Sequence, residues 1–141
     1  MIAALLSAEI TARMGKDPGE IYQELTKEFG DSHFNRFEAI ANDEQRNVIK
    51  SLTPEQVHLN DLAGEKIKAI FNRAPGNDQP IGGIKVVAET GWFAARPSGT
   101  ENIYRIYVES FRGEKEMKRI LEQAQSVVND ALEKAKESQP V

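Results

Sequence analysis

Residues 96–100 bring together the side chains best suited to binding an anion. The guanidinium of Arg96 can donate two parallel hydrogen bonds to one phosphate, and Ser98 and Thr100 add hydroxyl donors. Gly99 permits backbone conformations that turn amides inward, and Pro97 lowers the cost of ordering the segment. A phosphate monoester carries a charge of about −1.5 to −2 and three acceptor oxygens. The segment therefore predicts a phosphate-binding loop.

A plainer alternative is that these residues form only a polar hairpin turn. In that case Arg96 would form an incidental salt bridge with Glu101. Arg105, on the strand that follows, has the same two interpretations. It either supplies a second guanidinium or is a solvated strand residue. Composition alone leaves both alternatives open.

Other residues that could perform chemistry are sparse. The chain has no cysteine, which excludes a disulfide, a thiolate metal site and a cysteine nucleophile. No nucleophile lies beside a base in the sequence, and no carboxylate cluster suits a metal. His33 and His58 stand alone, and Trp92 is expected to be a packing anchor beside the loop. We therefore expect neither a catalytic residue nor a metal site in this chain.

The composition is that of a globular domain without a basic surface. Of the 141 residues, 40% are hydrophobic and 28% are charged, and the formal net charge is −4. Proteins that bind nucleic acids or anionic membranes usually carry a basic excess, so we expect neither partner. The apolar N-terminus lacks a basic segment and is interrupted by Ser7 and Glu9, which argues against a signal peptide or membrane span. Its start within an amphipathic helix indicates a chain cut from a longer protein, and the lack of cysteine fits the cytoplasm.

The periodicity of the sequence predicts the elements that position the loop. Residues 1–30 have the pattern of two short helices with an apolar face. Asn42 and Gln45 predict a capping box for the next helix, and a long apolar stripe from Met117 to Ala135 predicts the last one. Alternating apolar residues predict strands at residues 33–40, 67–71, 84–89, 92–95 and 103–110.

These elements predict an α+β fold. We summarise their order after residue 30 as β-α-β-β-β-α, with strands joined mostly by short turns. Such an order favours an antiparallel sheet with helices packed on one face, preceded by a short helical segment. The 96–100 loop then lies between two neighbouring strands. Residues 137–141 are expected to fray.

The sequence resembles a known family in and around the loop. Residues 96–101, Arg-Pro-Ser-Gly-Thr-Glu followed by a strand, resemble the phosphate-binding motif of the α-D-phosphohexomutase superfamily. Residues 82–112 are similar to bacterial phosphoglucomutases in particular, as are residues 62–64 and 73–77. Many relatives have a proline after the glutamate; Asn102 stands there in this chain, which favours that branch over the glucosamine or mannose branches.

The resemblance implies a domain assignment. Residues 31–141 would be the C-terminal domain, the fourth of four around one cleft, and residues 1–30 would be the end of the preceding domain. That fourth domain is similar in fold to the TATA-binding-protein class. Fold similarity does not imply DNA binding, and residues 96–111 carry as many acidic as basic side chains.

The resemblance also implies roles for the motif residues. The phosphate of the substrate that is not transferred would be bound by Arg96, Ser98, Gly99 and Thr100. Arg105 resembles the family arginine on the following strand that joins them in some members. Pro97 and Glu101 match the motif without an assigned role.

The implied activity belongs to a full-length enzyme. That enzyme would be an isomerase of glucose metabolism that interconverts glucose 1-phosphate and glucose 6-phosphate through glucose 1,6-bisphosphate. The family's phosphoserine loop, magnesium loop and sugar-recognition loop have no counterpart in this sequence. Mg²⁺ would therefore be bound by another domain of the same polypeptide, and the fragment alone would be inactive. The alternatives are a stand-alone phosphosugar- or anion-binding module without catalysis, or the same domain of a phosphomannomutase or phosphoglucosamine mutase.

Overall fold

The computed structural model describes residues 1–137 and divides the chain into two compact units, Met1–Ser32 and His33–Val141. The assignment of residues 1–30 to a preceding domain stays a prediction. The segment expected to fray lies, from residue 138 onward, outside the described residues. Across residues 1–137, no helix combines the length and apolar character needed to cross a membrane.

The first unit is a pair of helices, α1 (Ile2–Met14) and α2 (Pro18–Phe29). Gly15 ends α1 in the left-handed region, with φ of 64°. Asp17 caps the start of α2, because its carboxylate accepts a backbone hydrogen bond at 2.7 Å and Glu20 accepts one from the Asp17 amide at 3.0 Å. No residue of either helix is buried within the chain.

The second unit confirms the predicted α+β fold. Its five strands form one antiparallel sheet in the order β1-β5-β4-β3-β2. The order β-α-β-β-β-α contains four strands, whereas the structure has five. The difference arises because the two arms of the central hairpin, β3 and β4, are separate strands. The elements are β1 (His33–Ile40), α3 (Asp43–Lys50), a 3₁₀ turn (Pro54–Gln56), β2 (Ala69–Arg73), β3 (Pro80–Val87), β4 (Gly91–Pro97), β5 (Ile103–Ser110) and α4 (Glu114–Glu137).

The core lies between one face of the sheet and helices α3 and α4. Alternate residues of β5 are buried, and Phe93 of the neighbouring strand is completely enclosed. The apolar stripe predicted for the last helix supplies the opposite side of this core, with Ile120 and Val128 at most 2% exposed. Burial of this apolar surface is the main force that fixes the sheet beneath the helices.

Helix α3 is fixed in place by its cap and by two apolar residues. The predicted capping box forms: Asn42 Oδ1 accepts from the Gln45 amide at 2.8 Å, and Gln45 Oε1 accepts from the Asn42 amide at 3.0 Å. Ile49 and the following Leu52 are buried in the core. Because these residues anchor one side of α3, its other side is left to face the end of β4.

Candidate anion-binding site

A cavity of about 500 Å³ opens at the end of β4, between the 96–100 loop and α3. Its wall is partly the predicted motif and partly a set of residues that sequence analysis did not single out as ligands. The lining residues are Asp43, Arg46, Asn47, Lys50, Gly82, Arg96, Pro97, Ser98 and Gly99. The loop therefore borders open space, and the helices do not seal it.

Arg96 is the only one of the predicted guanidiniums that lines this cavity. Its side chain is exposed, and no hydrogen bond or ion pair engages it within residues 1–137. The salt bridge to Glu101 that a simple hairpin turn would contain is absent from the same residues, because Glu101 pairs with Arg105. The planar donor fork of Arg96 is therefore available to an anion.

The loop is closed by its own backbone and by the Ser98 hydroxyl. The Ser98 amide donates to the Ile103 carbonyl at 2.9 Å. The buried Ser98 Oγ accepts from the amides of Glu101 at 3.2 Å and, more weakly, Thr100 at 3.5 Å. Among the described residues the Gly99 amide has no partner. Ser98 thus shapes the loop, and the amide that remains free to bind an anion is that of Gly99.

Gly99 leaves open space at the wall of the cavity. Its φ lies outside the left-handed region, and the inward turn of the loop amides that its flexibility would permit stays a prediction. A Cβ built on Gly99 would have no neighbour within 4 Å. The missing side chain therefore leaves open space at the cavity wall, where a ligand can approach the backbone closely.

Arg105 lies directly across the sheet from Arg96 but has a full set of protein partners. Its Nε donates to Glu38 Oε1 at 2.8 Å, its Nη1 donates to Ser98 Oγ at 3.4 Å, and its Nη2 pairs with the Glu101 carboxylate. The hydrogen bond from Arg105, together with nearby Arg36, holds the pKa of Glu38 below its ordinary value of 4.5.

Two predicted ligands are absent from the cavity wall. Neither Arg105 nor Thr100 is among its lining residues. The Arg105 guanidinium instead contacts the Ser98 hydroxyl and the Glu101 carboxylate, and so it stabilises the loop. Direct phosphate binding by these two residues stays a prediction.

One face of α3 forms the other wall. Asp43, Arg46, Asn47 and Lys50 are spaced three, four and seven residues apart, which places them on a single helical face. The same spacing is visible in the sequence. It does not by itself predict a contact with the loop, because nothing local in the sequence connects this helix with a loop some 50 residues later.

Arg46 fastens α3 to the loop. Its Nη1 donates to the Glu101 carbonyl at 2.9 Å and, more weakly, to the Ser98 carbonyl at 3.5 Å. Its Nη2 pairs with Asp43. These bonds draw the loop carbonyls toward Arg46, so the loop presents fewer acceptors to an incoming anion.

The charges on the cavity wall favour a dianion. Asp43 is the only carboxylate among the lining residues, and Arg46 already neutralises it. Arg96 and Lys50 have no ionic partner anywhere in the part of the chain that the structure describes. Two unpaired cations match the charge of about −2 on a phosphate monoester.

Two glycines of β3 allow the backbone to pass close to Arg96. Gly82 lines the cavity with φ of +67°, a conformation that side-chain-bearing residues rarely adopt. A Cβ on Gly83 would lie 2.2 Å from the Ala95 carbonyl oxygen, so only glycine fits between β3 and β4 there.

The acidic and histidine side chains of the described residues do not gather into a metal-binding cluster. Within residues 1–137, no group of three or more Asp, Glu or His side chains could hold a metal ion. The acidic side chains nearest the loop, Glu101 and Asp43, are each engaged by an arginine. The cavity wall is therefore suited to an anion and offers no cation ligand set.

Comparison with known proteins identifies the family of this chain. The family model "Phosphoglucomutase/phosphomannomutase, C-terminal domain" matches residues 20–127. A phosphoglucomutase of Komagataeibacter xylinus is 47% identical over 135 residues, which cover 96% of this chain and 24% of that protein. A protein of Pyrococcus furiosus named "Probable phosphoglucosamine mutase" is 43% identical over 56 residues, 40% of this chain and 12% of its own length.

The chain spans about a quarter of the length of the phosphoglucomutase it matches. The family match covers most of the chain, including both walls of the cavity and the core beneath them. This chain therefore belongs to the phosphoglucomutase/phosphomannomutase family, of which it contains the C-terminal domain.

Proposed function

We propose that this domain binds the phosphate that is not being transferred, within a mutase that interconverts glucose 1-phosphate and glucose 6-phosphate. The observation that carries the proposal is the unpaired Arg96 guanidinium, which borders an open cavity beside the free Gly99 amide. Both are donors, and the loop carbonyls near them are bound by Arg46. A dianion satisfies such a set of donors better than a neutral ligand does.

The chemistry of the reaction explains why a phosphate grip is needed. Phosphoryl transfer depends mainly on positioning and on stabilisation of charge. A route through glucose 1,6-bisphosphate requires the sugar to present each of its two phosphates in turn to the reacting groups. A domain that grips whichever phosphate is not reacting can hold the sugar in either orientation, and its closure excludes water.

The catalytic groups belong to other domains in this proposal. The family's Mg²⁺ and its phosphoserine would reside upstream in the same polypeptide, where the metal would supply charge neutralisation to the transferred phosphoryl group. The residues of this chain bind and orient. Arg96 and Gly99 contact the phosphate, Ser98 shapes the loop, and Arg46 holds it against α3.

Sugar preference is the finer part of the proposal. Glucose phosphate is favoured because the similarity to the phosphoglucomutase extends over 96% of the chain, whereas that to the P. furiosus protein covers 40%. The alternative of a stand-alone anion-binding module makes a different prediction: no serine loop and no carboxylate-rich metal loop would precede residue 1 in the complete polypeptide.

The direct test is a titration of the 141-residue chain with sugar phosphates, followed by NMR of the backbone amides. Glucose 1-phosphate and glucose 6-phosphate should both shift the amides of residues 96–100, with millimolar dissociation constants, because one domain supplies few contacts. Glucose without phosphate should leave these amides unmoved. If neither sugar phosphate shifts the amide signals of residues 96–100, or if glucose shifts them equally, the proposal that this loop binds phosphate is wrong.

A further inference from the structure

We infer that Lys50 on α3 is a second cationic ligand of the same phosphate. This inference rests on the proposed function, and it adds a residue that lies outside the loop motif by more than 40 positions. The phosphate would then be held between two elements, the loop at the end of β4 and the last turn of α3.

The position of Lys50 is the first support. It is exposed, it lines the cavity, and it is the last member of the α3 face that also carries Arg46 and Asn47. No carboxylate engages it within residues 1–137. Lys68 and Lys118, by contrast, pair with Glu89 and Glu114. A lysine without a partner beside an open cavity is free to contact a ligand.

The division of labour on α3 is the second support. Arg46 donates to the carbonyls of Ser98 and Glu101 and pairs with Asp43, so its charge is already compensated. Lys50 is then the remaining uncompensated cation on the helical wall of the cavity. Together with Arg96 at the end of β4, Lys50 supplies two positive charges, which match the charge of about −2 on a phosphate dianion.

A purely structural role for Lys50 makes a different prediction. Cations in the last turn of a helix stabilise it through the helix dipole, and Lys50 is the basic residue of the last turn of α3. Removal of the charge would in that case lower thermal stability and leave phosphate affinity unchanged. The ligand role predicts a loss of affinity in a chain that remains folded.

The experiment compares three variants of the 141-residue chain with the wild type, using inorganic phosphate and glucose 1-phosphate as probes. Lys50→Met keeps the length of the side chain without its charge, and Lys50→Arg keeps the charge. Lys115→Met removes a charge from an exposed lysine of α4 that does not line the cavity. Dissociation constants come from the amide shifts of residues 96–100, and melting temperatures are recorded beside them.

We expect Lys50→Met to weaken binding of both probes about 3- to 10-fold, the range for one partly exposed ionic contact. Lys50→Arg should stay within about twofold of the wild type because the charge is retained. Lys115→Met should bind like the wild type. The effect must appear with inorganic phosphate as well, since Lys50 is assigned to the phosphate and not to the sugar.

The outcomes separate this inference from the proposed function. If the wild type binds at the loop and Lys50→Met binds equally well, the Lys50 inference is overturned and the phosphate grip stands. Equal losses in Lys50→Met and Lys115→Met would indicate a general effect of net charge, which also overturns it. If phosphate does not shift the wild-type loop at all, the proposed function itself fails.

Discussion

Arg96 and Arg105 are partners across β4 and β5, yet the regions around them differ completely. On the Arg96 side the loop borders an open cavity, and no described residue engages the guanidinium. On the Arg105 side two carboxylates and one hydroxyl surround the guanidinium, whose side chain is 25% exposed. Two arginines at neighbouring positions of one sheet thus differ in role: the Arg96 guanidinium is available to a ligand, whereas the Arg105 guanidinium is bound by protein side chains and stabilises the fold.

The difference comes from the neighbours that each region supplies. Glu38 on β1 and Glu101 after the loop both lie within reach of Arg105. The elements around Arg96, namely β3 and α3, present glycine, asparagine, cations and a single carboxylate, that of Asp43. Because Arg46 pairs with Asp43, no unpaired carboxylate among the lining residues competes with a ligand for Arg96.

The largest effect should come from Arg96→Met, with Arg105→Met as its matched partner. In the complete enzyme, Arg96→Met should lower kcat/KM about 30- to 5,000-fold, the consequence of about 2–5 kcal/mol lost when a partly buried phosphate is left underpaired. Its melting temperature should change little, because no protein partner is lost. Arg105→Met should instead lower the melting temperature, by about 2–4 °C, through its lost hydrogen bonds.

Both kcat/KM and the melting temperature should be measured for each variant. The proposed difference between the two arginines is wrong if Arg96→Met mainly lowers the melting temperature and Arg105→Met mainly lowers kcat/KM. A loss of less than about threefold in kcat/KM for Arg96→Met, which is under 1 kcal/mol, would count against its role as a ligand. An intact melting temperature for Arg105→Met, with a large loss of activity, would move Arg105 into the site that the sequence motif assigns to it.

A smaller effect should follow from Gly99→Ala. The added methyl group meets no protein atom within 4 Å, so the fold accepts it and the unfolded chain becomes less flexible. The methyl would occupy the space next to the free amide, and phosphate affinity should fall about 5- to 30-fold. Amide-shift titration and thermal unfolding together measure both consequences.

Gly82→Ala is the control for this variant. Gly82 lines the same cavity but has φ of +67°, so a side chain there strains the backbone. It should lower the melting temperature, whereas Gly99→Ala should keep or raise it. If Gly99→Ala binds phosphate like the wild type, then the open space above Gly99 does not receive the ligand.

The sequence predicts the fold well because its signals are local. The capping box at Asn42, the alternation in β5 and the apolar stripe of α4 each depend on residues within a few positions of one another. The loop motif is equally local, and the structure places its Arg96 and Gly99 on an open cavity as such a site requires.

The other wall of the cavity could not be predicted in this way. Arg46 and Lys50 reach the loop only because α3 packs on the sheet, and the bond from Arg46 to the Glu101 carbonyl joins residues 55 positions apart. The pairing of Arg105 with Glu38 spans 67 positions and depends on β1 lying beside β5. Both contacts depend on the tertiary packing of elements that are far apart in the sequence, and the periodicity of a single sequence does not predict such packing.

The smallest expected effect is the pH dependence of the ion pair between Arg105 and Glu38. The hydrogen bond from Arg105 lowers the pKa of Glu38 in the folded chain, so the ionised carboxylate is bound more tightly there than in the unfolded chain. A carboxylate with a depressed pKa stabilises the fold above its ordinary value of 4.5, and this stabilisation is lost as the pH falls through the lower, folded value. Glu38→Gln should therefore lower the melting temperature at pH 7, by about 1–3 °C for such a half-exposed pair, and less at pH 3.

Glu133→Gln is the control, because Glu133 lies exposed on α4 and has no ion pair within residues 1–137. Its difference from the wild type should be small and should not narrow between pH 7 and pH 3. In an Arg105→Met background, the pH-dependent effect of Glu38→Gln should become smaller, since the main partner that depresses the pKa is gone and only Arg36 remains beside the carboxylate. A Glu38 effect that persists unchanged in that background would show that Arg105 is not held by this carboxylate in solution. The guanidinium would then be free to turn toward the cavity, and the contrast between the two arginines would disappear.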